Sequence, residues 1–202
     1  MVRQELLEQR RQQILGAALK VFAELGYHNA GIADIAREVG AGHGTFYRYF
    51  ENKRDILDHV LTYAAERITA ALADTGPTAS STVEEYRAQV ERIGNALFTL
   101  FVEDRQLAPV FFMQSMSVDA EMTDRILALH DAMAAVTESY LRNGVEKGFL
   151  RADLDVGVTA RAVNGTITAG AIAALRFEDP VAERDRWVRG VTALIFDGVA
   201  AR

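Results

Sequence analysis

The residues best suited to specific chemistry lie in one short stretch, Ile32–Phe50, with the sequence IADIAREVGAGHGTFYRYF. It holds two short segments of helical periodicity joined by a glycine-rich turn. In the second segment Phe46 and Phe50 are four residues apart, so both share one helical face and we expect them to point into a core. The opposite face is then polar and aromatic, and it carries His43, Gly44, Tyr47 and Arg48, with Thr45 at its edge.

This outward face carries the groups that a recognition helix uses in the major groove of DNA. Histidine and arginine donate to base acceptors, a tyrosine ring contacts the methyl group of thymine, and threonine donates to a phosphate. Lys53 adds a positive charge that can pair with a backbone phosphate. Tyr49 lies nearer to the buried side, so a core position and a DNA contact both remain open for it. Helices this short are marginal alone, so neighbouring helices must hold them.

Other kinds of chemistry have no comparable pattern. The glycines of Gly40–Gly44 could form a phosphate-binding loop, but no strand precedes them and no Gly-Lys-Ser/Thr ending follows. His28, His59 and His130 lack the spacing of metal ligands, so we expect surface or packing roles for them. No nucleophile-elbow sequence brings Ser, His and Asp together. We therefore predict that the protein is not an enzyme and uses no metal or cofactor.

Length and composition describe a globular protein. The 202 residues are half hydrophobic and one quarter charged, enough for one core or a core with a small added domain. There is no cysteine, which excludes disulfides and thiolate sites and suits a reducing compartment. No segment resembles a signal peptide or the roughly 20 apolar residues of a membrane span. We expect a soluble, cytoplasmic protein that does not contact membranes.

The acidic balance is uneven along the chain. Residues 1–60 hold 8 Lys and Arg against 8 Asp and Glu, so the formal net charge of −6 comes entirely from the remainder. An acidic surface repels nucleic acid. A DNA-binding face is therefore expected in the neutral N-terminal part.

Helical periodicity covers almost the whole chain, and three prolines with few β-branched runs leave little room for a sheet. Four helices are predicted first: Glu5–Leu25 ended by Gly26, Ile32–Val39 ended by Gly40, residues 43–50, and a helix capped by Asn52 that continues to about residue 74. Five more are predicted after a turn-forming stretch: Thr82–Glu103, Gln106–Ser117, Asp119–Lys147, Asp155–Phe177 and Val181–Ala201. The predicted fold is all-α, with a helix-turn-helix domain of three helices before a C-terminal bundle, about nine helices in total.

Over residues 10–60 the chain resembles the TetR (tetracycline-repressor) family of bacterial transcriptional regulators. The resemblance rests on three motifs: FAELGY at Phe22–Tyr27, IADIAREVG at Ile32–Gly40, and GTFYRYFENKRDIL at Gly44–Leu57. It implies DNA contacts by the residues that match the family's contact positions: His43, Thr45, Tyr47, Tyr49 and Lys53. It also implies a DNA-binding domain at 1–51, a connecting helix at 52–74, and a ligand-binding and dimerisation domain at 75–202.

The chain departs from the family pattern at two helix starts. Gly31 and Gly42 stand where relatives usually have Ser or Thr, so side-chain caps that also reach phosphates are missing. Glycine at a cap costs only a few tenths of a kcal/mol, so folding survives. His43, neutral near pH 7, replaces the frequent Lys or Arg, which lowers the electrostatic part of DNA binding.

Bulky, adaptable side chains concentrate in the middle helices, and a few polar side chains accompany them. They suit either an ordinary core or a cavity for an apolar small molecule, and the resemblance favours the cavity. The candidate ligand-binding residues are Phe98, Phe101, Phe112, Met113, Met116, Met133, Tyr140, Asn164 and Thr168.

Small residues are frequent in the last two helices, which permits close helix approach. The resemblance implies a homodimer formed by these helices, and the alternative is packing within one chain. The candidate interface residues are Gly165, Ala169, Ala173, Trp187, Val191 and Leu194.

Together these features predict a ligand-responsive repressor that binds palindromic operator DNA as a homodimer and is released or modulated by an apolar effector. A twofold-symmetric dimer matches a palindromic site. The rival hypothesis is an all-α small-molecule carrier or scaffold that does not bind DNA. Such a carrier needs no exposed face formed by His43, Tyr47 and Arg48.

Overall fold

A computed structural model describes residues 2–40, 42–72 and 76–198, without the side chains of Val2, Arg3, His43 and Thr45. The predictions for the side chains of His43 and Thr45 therefore lie outside the described residues. All regular structure in the described ranges is helical, which confirms the all-α prediction. None of these helices is long and apolar enough to cross a membrane.

Eight α-helices follow one another along the described chain. They are α1 (Val2–Leu25), α2 (Ile32–Val39), α3 (His43–Phe46), α4 (Lys53–Ala70), α5 (Val83–Glu103), α6 (Ala120–Glu146), α7 (Val156–Ala174) and α8 (Pro180–Asp197). Between α5 and α6 lie a π-helical segment, Pro109–Gln114, and a 3₁₀ turn, Ser115–Ser117.

Two of the predicted helices differ from the observed ones. The α-helix predicted over residues 106–117 is instead mostly a π-helical segment followed by a 3₁₀ turn. The Ser115 hydroxyl donates to the carbonyl oxygens of Val110 and, at 3.5 Å, Phe111, which satisfies this irregular backbone. The third helix is also shorter than predicted, because α3 ends at Phe46 and the chain continues as a turn.

Several predicted helix ends are confirmed by their hydrogen bonds. Gly40 adopts a left-handed φ of 65° and closes α2, a conformation that glycine reaches without strain. Asn52 Oδ1 accepts from the N–H of Asp55 at 3.0 Å and caps α4. No side chain caps α2 at Gly31, as predicted, but the Asp34 carboxylate accepts from the Gly31 N–H at 2.9 Å.

The chain packs into two compact units that do not follow its linear order. The N-terminal unit combines residues 1–67 with 106–124, and the C-terminal unit combines residues 68–105 with 125–202. The predicted boundaries at 51 and 74 are linear, whereas the N-terminal unit includes a segment from the middle of the chain. Its core contains the fully buried side chains of Ile14, Leu19, Phe22, Ile35, Phe46, Ile56, Leu57, Leu61, Leu107, Phe111 and Met122.

Candidate nucleic-acid interface and internal cavity

The turn after α3 is anchored by two phenylalanines in the core of the N-terminal unit. Phe46 and Phe50 are only 1% and 3% exposed, which confirms their predicted inward direction. The N–H groups of Tyr49 and Phe50 both donate to the carbonyl oxygen of Phe46, at 2.8 and 3.0 Å. Burial and these two hydrogen bonds fix the direction in which the intervening side chains project.

The outward side of this turn exposes a large aromatic ring beside a cation. Tyr47 is 59% exposed, Arg48 is also exposed, and Tyr49 is half-buried between them and the core. Both side chains combine hydrogen bonding with a flat contact area, which suits contact with a nucleic acid. Tyr47 and Arg48 therefore have the accessibility that their predicted DNA contacts require.

Lys53, predicted to contact a phosphate, is engaged inside the N-terminal unit. Its ammonium donates to the carbonyl oxygens of Tyr27, His28 and Ala30 at 2.8, 3.3 and 2.9 Å. An ammonium has three donors, so these three carbonyls use all of them. We correct the role of Lys53 from a DNA contact to a residue that positions the turn between α1 and α2.

The middle segment of the chain braces the same turn. The Tyr27 N–H donates to Gln114 Oε1 at 3.2 Å, and the His28 ring nitrogen lies 3.0 Å from the carbonyl oxygen of Ser117. Arg54 of α4 forms ion pairs with Asp119 at 2.9 Å and with Asp58 at 3.0 Å. These contacts were not predicted from the sequence, because hydrophobic periodicity does not identify which other segment a helix packs against.

Asp119 has two roles at the start of α6. Its carboxylate accepts from the Met122 N–H at 2.7 Å and from Arg54 Nε at 2.9 Å. The Met122 N–H and then the Arg54 guanidinium hold the pKa of Asp119 below its ordinary value, because both favour the ionised carboxylate.

Three of the predicted ligand-binding residues lie in the segment between α5 and α6 that makes these contacts. Phe112, Met113 and Met116 lie in the N-terminal unit, in the π-helical segment and the 3₁₀ turn. Phe112 is half-buried, while Met113 and Met116 are 54% and 46% exposed. Their placement in a ligand pocket is corrected, since the segment that carries them turns its buried face, at Phe111, into the core of the N-terminal unit.

The C-terminal unit encloses a cavity of about 380 Å³ between α5, α6, α7, α8 and the end of α4. This volume is within the range of small-molecule pockets, about 300–1,000 Å³. The wall includes five of the predicted ligand-binding residues: Phe98, Phe101, Met133, Tyr140 and Asn164. Thr168 is not in the wall, and its hydroxyl donates to the backbone oxygen of Asn164 at 3.1 Å.

The cavity wall is apolar except for a few uncharged polar side chains. Among its described lining residues there is no Asp, Glu, Lys, Arg or His. The Thr137 hydroxyl donates to Asn164 Oδ1 at 2.8 Å, whereas the buried Asn164 Nδ2 has no acceptor. Burial, with a smaller effect of Tyr140, raises the pKa of Tyr86 to about 12, so its hydroxyl remains protonated at neutral pH.

Two residues predicted at a dimer interface also line this cavity. Trp187 and Val191 of α8 are part of its wall. A Cβ at Gly170 would lie 2.6 Å from Trp187 Nε1, so the indole packs directly on the glycine of α7. This contact occurs within one chain, and the placement of Trp187 and Val191 on an outward interface is corrected.

The outward faces of α7 and α8 are rich in small and apolar residues. Of the predicted interface residues, Gly165, Ala169 and Leu194 are exposed and Ala173 is half-buried. Sequence reasoning missed further exposed members of these faces, identified by their three- and four-residue spacing: Val158, Ala162, Ile172, Gly190 and Ala193.

Comparison with known proteins assigns both parts of the chain to described domains. Residues 14–60 match the family model "Bacterial regulatory proteins, tetR family", and residues 83–172 match "Tetracyclin repressor-like, C-terminal domain". The fatty acid metabolism regulator protein of Bacillus subtilis is 26% identical over 155 residues, covering 77% of this chain and 78% of that protein. The regulator SrpR of Pseudomonas putida is 27% identical over 176 residues, covering 87% and 80%.

Solved structures share the fold over nearly the full chain. The fatty acid degradation regulator FadR of Bacillus halodurans has a TM-score of 0.78 at 23% identity, covering 96% of this chain and 97% of that one. The transcriptional regulator FadR of Bacillus subtilis, solved in complex with stearoyl-CoA, has a TM-score of 0.75 at 25% identity, covering 94% and 99%.

Proposed function

Because the chain belongs to the TetR family of bacterial transcriptional regulators, we propose that it is a repressor that binds palindromic operator DNA as a homodimer. An apolar small molecule in the C-terminal cavity releases or modulates it. A regulator of this kind acts in the cytoplasm, where operator DNA is accessible. The observation that carries the proposal is the exposed Tyr47 and Arg48 pair, held over the buried Phe46 and Phe50.

DNA recognition places α3 and the following turn in the major groove. Arg48 donates to base acceptors and Tyr47 contacts a thymine methyl group or a phosphate. Tyr49 offers only the exposed edge of its side chain to DNA, since it is half-buried. In a dimer the two recognition helices lie about 34–36 Å apart, or a multiple of that distance, to meet successive turns of one DNA face.

Dimerisation uses the exposed small-residue faces of α7 and α8. Gly165 and Ala169 permit close approach of a second copy, and Leu194 with the 37% exposed Ile172 supplies apolar area. An Ala169→Glu variant is expected to sediment as a monomer, because it would bury an unpaired charge. Ala152→Glu adds the same charge at an exposed turn and serves as the control that stays dimeric.

The effector proposal rests on the cavity and on the comparisons with known proteins. The cavity walls are apolar, one similar protein is a fatty acid metabolism regulator, and one similar structure was solved with stearoyl-CoA. We propose that the effector of this chain also carries an acyl chain. Helix α4 contains Lys53 at its start and the cavity residue Ile68 near its end, so a ligand-driven shift of α4 reaches the turn between α1 and α2.

The test is a fluorescence-anisotropy titration against duplex fragments from the region upstream of the protein's own gene, with random duplex as competitor. Saturable binding of an even number of protomers to one fragment supports the proposal. Tyr47→Ala should lose most of this affinity, whereas Met113→Ala, which truncates another exposed side chain of the N-terminal unit, should keep it. Loss of preference over random DNA in a folded dimer would favour a carrier that does not bind DNA.

A further inference from the structure

A short segment before α5, residues 76–81, forms part of the cavity wall, and we call it the strap. It has no helical structure, and its residues Gly76 and Pro77 line the cavity. Apart from Leu72, in the turn after α4, every other described lining residue lies in one of the helices α4 to α8. Gly76 is also exposed and has no side chain, so only one layer of backbone separates the cavity from water there.

Polar side chains of α5 and α6 hold the strap in place. Gln89 of α5 is fully buried, and its Nε2 donates to the carbonyl oxygen of Gly76 at 2.8 Å. Gln89 Oε1 accepts from the Ser80 hydroxyl, also at 2.8 Å. From α6, Asn143 Nδ2 and the Lys147 ammonium both donate to the carbonyl oxygen of Ser80, at 3.0 and 2.8 Å. The strap is therefore tied to two helices by side-chain hydrogen bonds.

Apolar burial contributes little to this attachment. Thr78 and Ala79 are exposed and Pro77 is half-buried, whereas Ser80 is buried. Within the strap the described backbone forms one hydrogen bond to itself, from the Ala79 N–H to the Gly76 carbonyl oxygen at 3.2 Å. Segments with few buried apolar contacts open locally at a much lower free energy than the core of a domain. The strap is thus the part of the described wall that opens most easily.

The hydrogen bonds of the strap exist only while it is closed. When it lifts, the Gly76 carbonyl and the Ser80 hydroxyl exchange their protein partners for water, so each bond adds only a small net free energy to the closed form. Moving one of the wall helices would instead disturb its packing on the core. Opening of the strap consequently needs no unfolding of α5 or α6.

We propose that the strap is the gate of the effector cavity, that Gln89, Asn143 and Lys147 hold it closed, and that its opening limits how fast a ligand enters and leaves. This inference rests on the proposed function of the cavity as an effector site. The three side chains are positioning residues, since they act on the ligand through the strap. They set the rates of binding and release, while the apolar wall sets the affinity.

Stopped-flow fluorescence measures these rates. Trp187 is the single tryptophan of the chain and lines the cavity, so its emission should follow occupancy. The probes are stearoyl-CoA and dodecanol, an uncharged apolar molecule without an acyl group. Gln89→Met should raise the association and dissociation rate constants of both probes roughly 3- to 10-fold, as expected for the loss of a neutral hydrogen bond from the closed form. Because both rates rise together, the dissociation constant should change less than either of them.

A second variant keeps the test valid if Gln89→Met does not fold. Lys147→Met changes an exposed position and should also raise both rates. The effect should appear with uncharged dodecanol, which excludes a lost attraction for the phosphates of stearoyl-CoA as its cause. Arg142→Met is the matched control, because it removes the same charge from α6 but Arg142 pairs with Glu138 and not with the strap. Circular dichroism checks that the variants are folded.

Different outcomes separate the gate from the effector proposal. Unchanged rates in the folded variants overturn the gate and leave the cavity as an effector site. Faster dissociation alone, with correspondingly weaker binding, also overturns it, because damage to the wall would then be the cause. Faster exchange of dodecanol without any response to stearoyl-CoA supports the gate and contradicts an acyl effector. If neither probe alters the emission of Trp187, both proposals are overturned.

Discussion

The ammonium of Lys53 lies 2.8 Å from the carbonyl oxygen of Tyr27 and 4.5 Å from the centre of the Tyr27 ring. One side chain at the start of α4 therefore holds the end of the turn that follows α1. A cation there also suits the partial negative charge at the C-terminal end of α1. We call these contacts of Lys53 the clamp. The position of α2, and with it the turn of Tyr47–Tyr49 after α3, depends on this clamp.

The clamp predicts that Lys53→Met lowers the free energy of unfolding by about 1.5–3 kcal/mol, the range for hydrogen bonds to a charged group. Urea denaturation measures the change. Lys20→Met, which removes a surface ion pair with Glu38, is the comparison and should cost less than Lys53→Met, because solvent screens an exposed pair. The salt dependence of operator binding should be unchanged in Lys53→Met, whereas a lost phosphate contact would reduce the slope by about 0.9.

Arg48 is predicted to read a base. Arg48→Ala should weaken binding to the operator by about 1–3 kcal/mol and weaken binding to random duplex much less, because base contacts carry sequence information. Competition titrations with both duplexes measure the ratio. Arg92→Ala, at an exposed position on α5, controls for the loss of a positive charge. An equal loss on both duplexes would assign Arg48 to a phosphate instead.

The pair between Asp119 and Arg54 predicts a pH-dependent stability difference. Because the pKa of Asp119 is lowered in the folded protein, its ionised form stabilises the fold at neutral pH, and this stabilisation disappears as the pH falls below the usual aspartate range near 3.9. Asp119→Asn keeps an N-terminal cap but loses the ion pair. Its urea midpoint should lie below that of the wild-type protein at pH 7 and approach it in acid. A difference that stays constant with pH would contradict this account.

The contact of Gly170 with Trp187 predicts opposite effects for two glycine substitutions. Gly170→Ala must displace the indole, whose Cε2 is 2.9 Å from the added Cβ, so we expect a loss of about 1–3 kcal/mol and a change in tryptophan emission. Gly16→Ala in α1 meets nothing within 4 Å and should stabilise the protein by roughly 0.5–1 kcal/mol. Thermal unfolding followed by circular dichroism compares the two.

Much of the N-terminal unit could be predicted from local signals. The four-residue spacing of Phe46 and Phe50 indicated their burial, and Gly26 and Gly40 end their helices with φ of 78° and 65° as predicted. These features depend on residues close in sequence. A helical period or a turn glycine therefore identifies them without knowledge of the tertiary contacts.

The errors concern contacts between residues distant in sequence. Met113 has the same helical periodicity whether its segment packs on the C-terminal bundle or on α1, so the period did not identify the partner. Small residues lie on several sides of α7, and only the close approach of Trp187 to Gly170 shows which of these sides is internal. Lys53 looked available for a phosphate because the three carbonyls that bind it come from a turn more than twenty residues earlier.

The most direct test of the account is the affinity of the protein for a fluorescent operator duplex, measured by anisotropy with and without stearoyl-CoA. We predict saturable binding of a dimer, changed about 5- to 150-fold by the ligand over the concentrations that alter Trp187 emission, as expected for a coupling of 1–3 kcal/mol. An operator affinity that stays the same while the ligand alters Trp187 emission would contradict the account, because the cavity would then bind a molecule without controlling DNA.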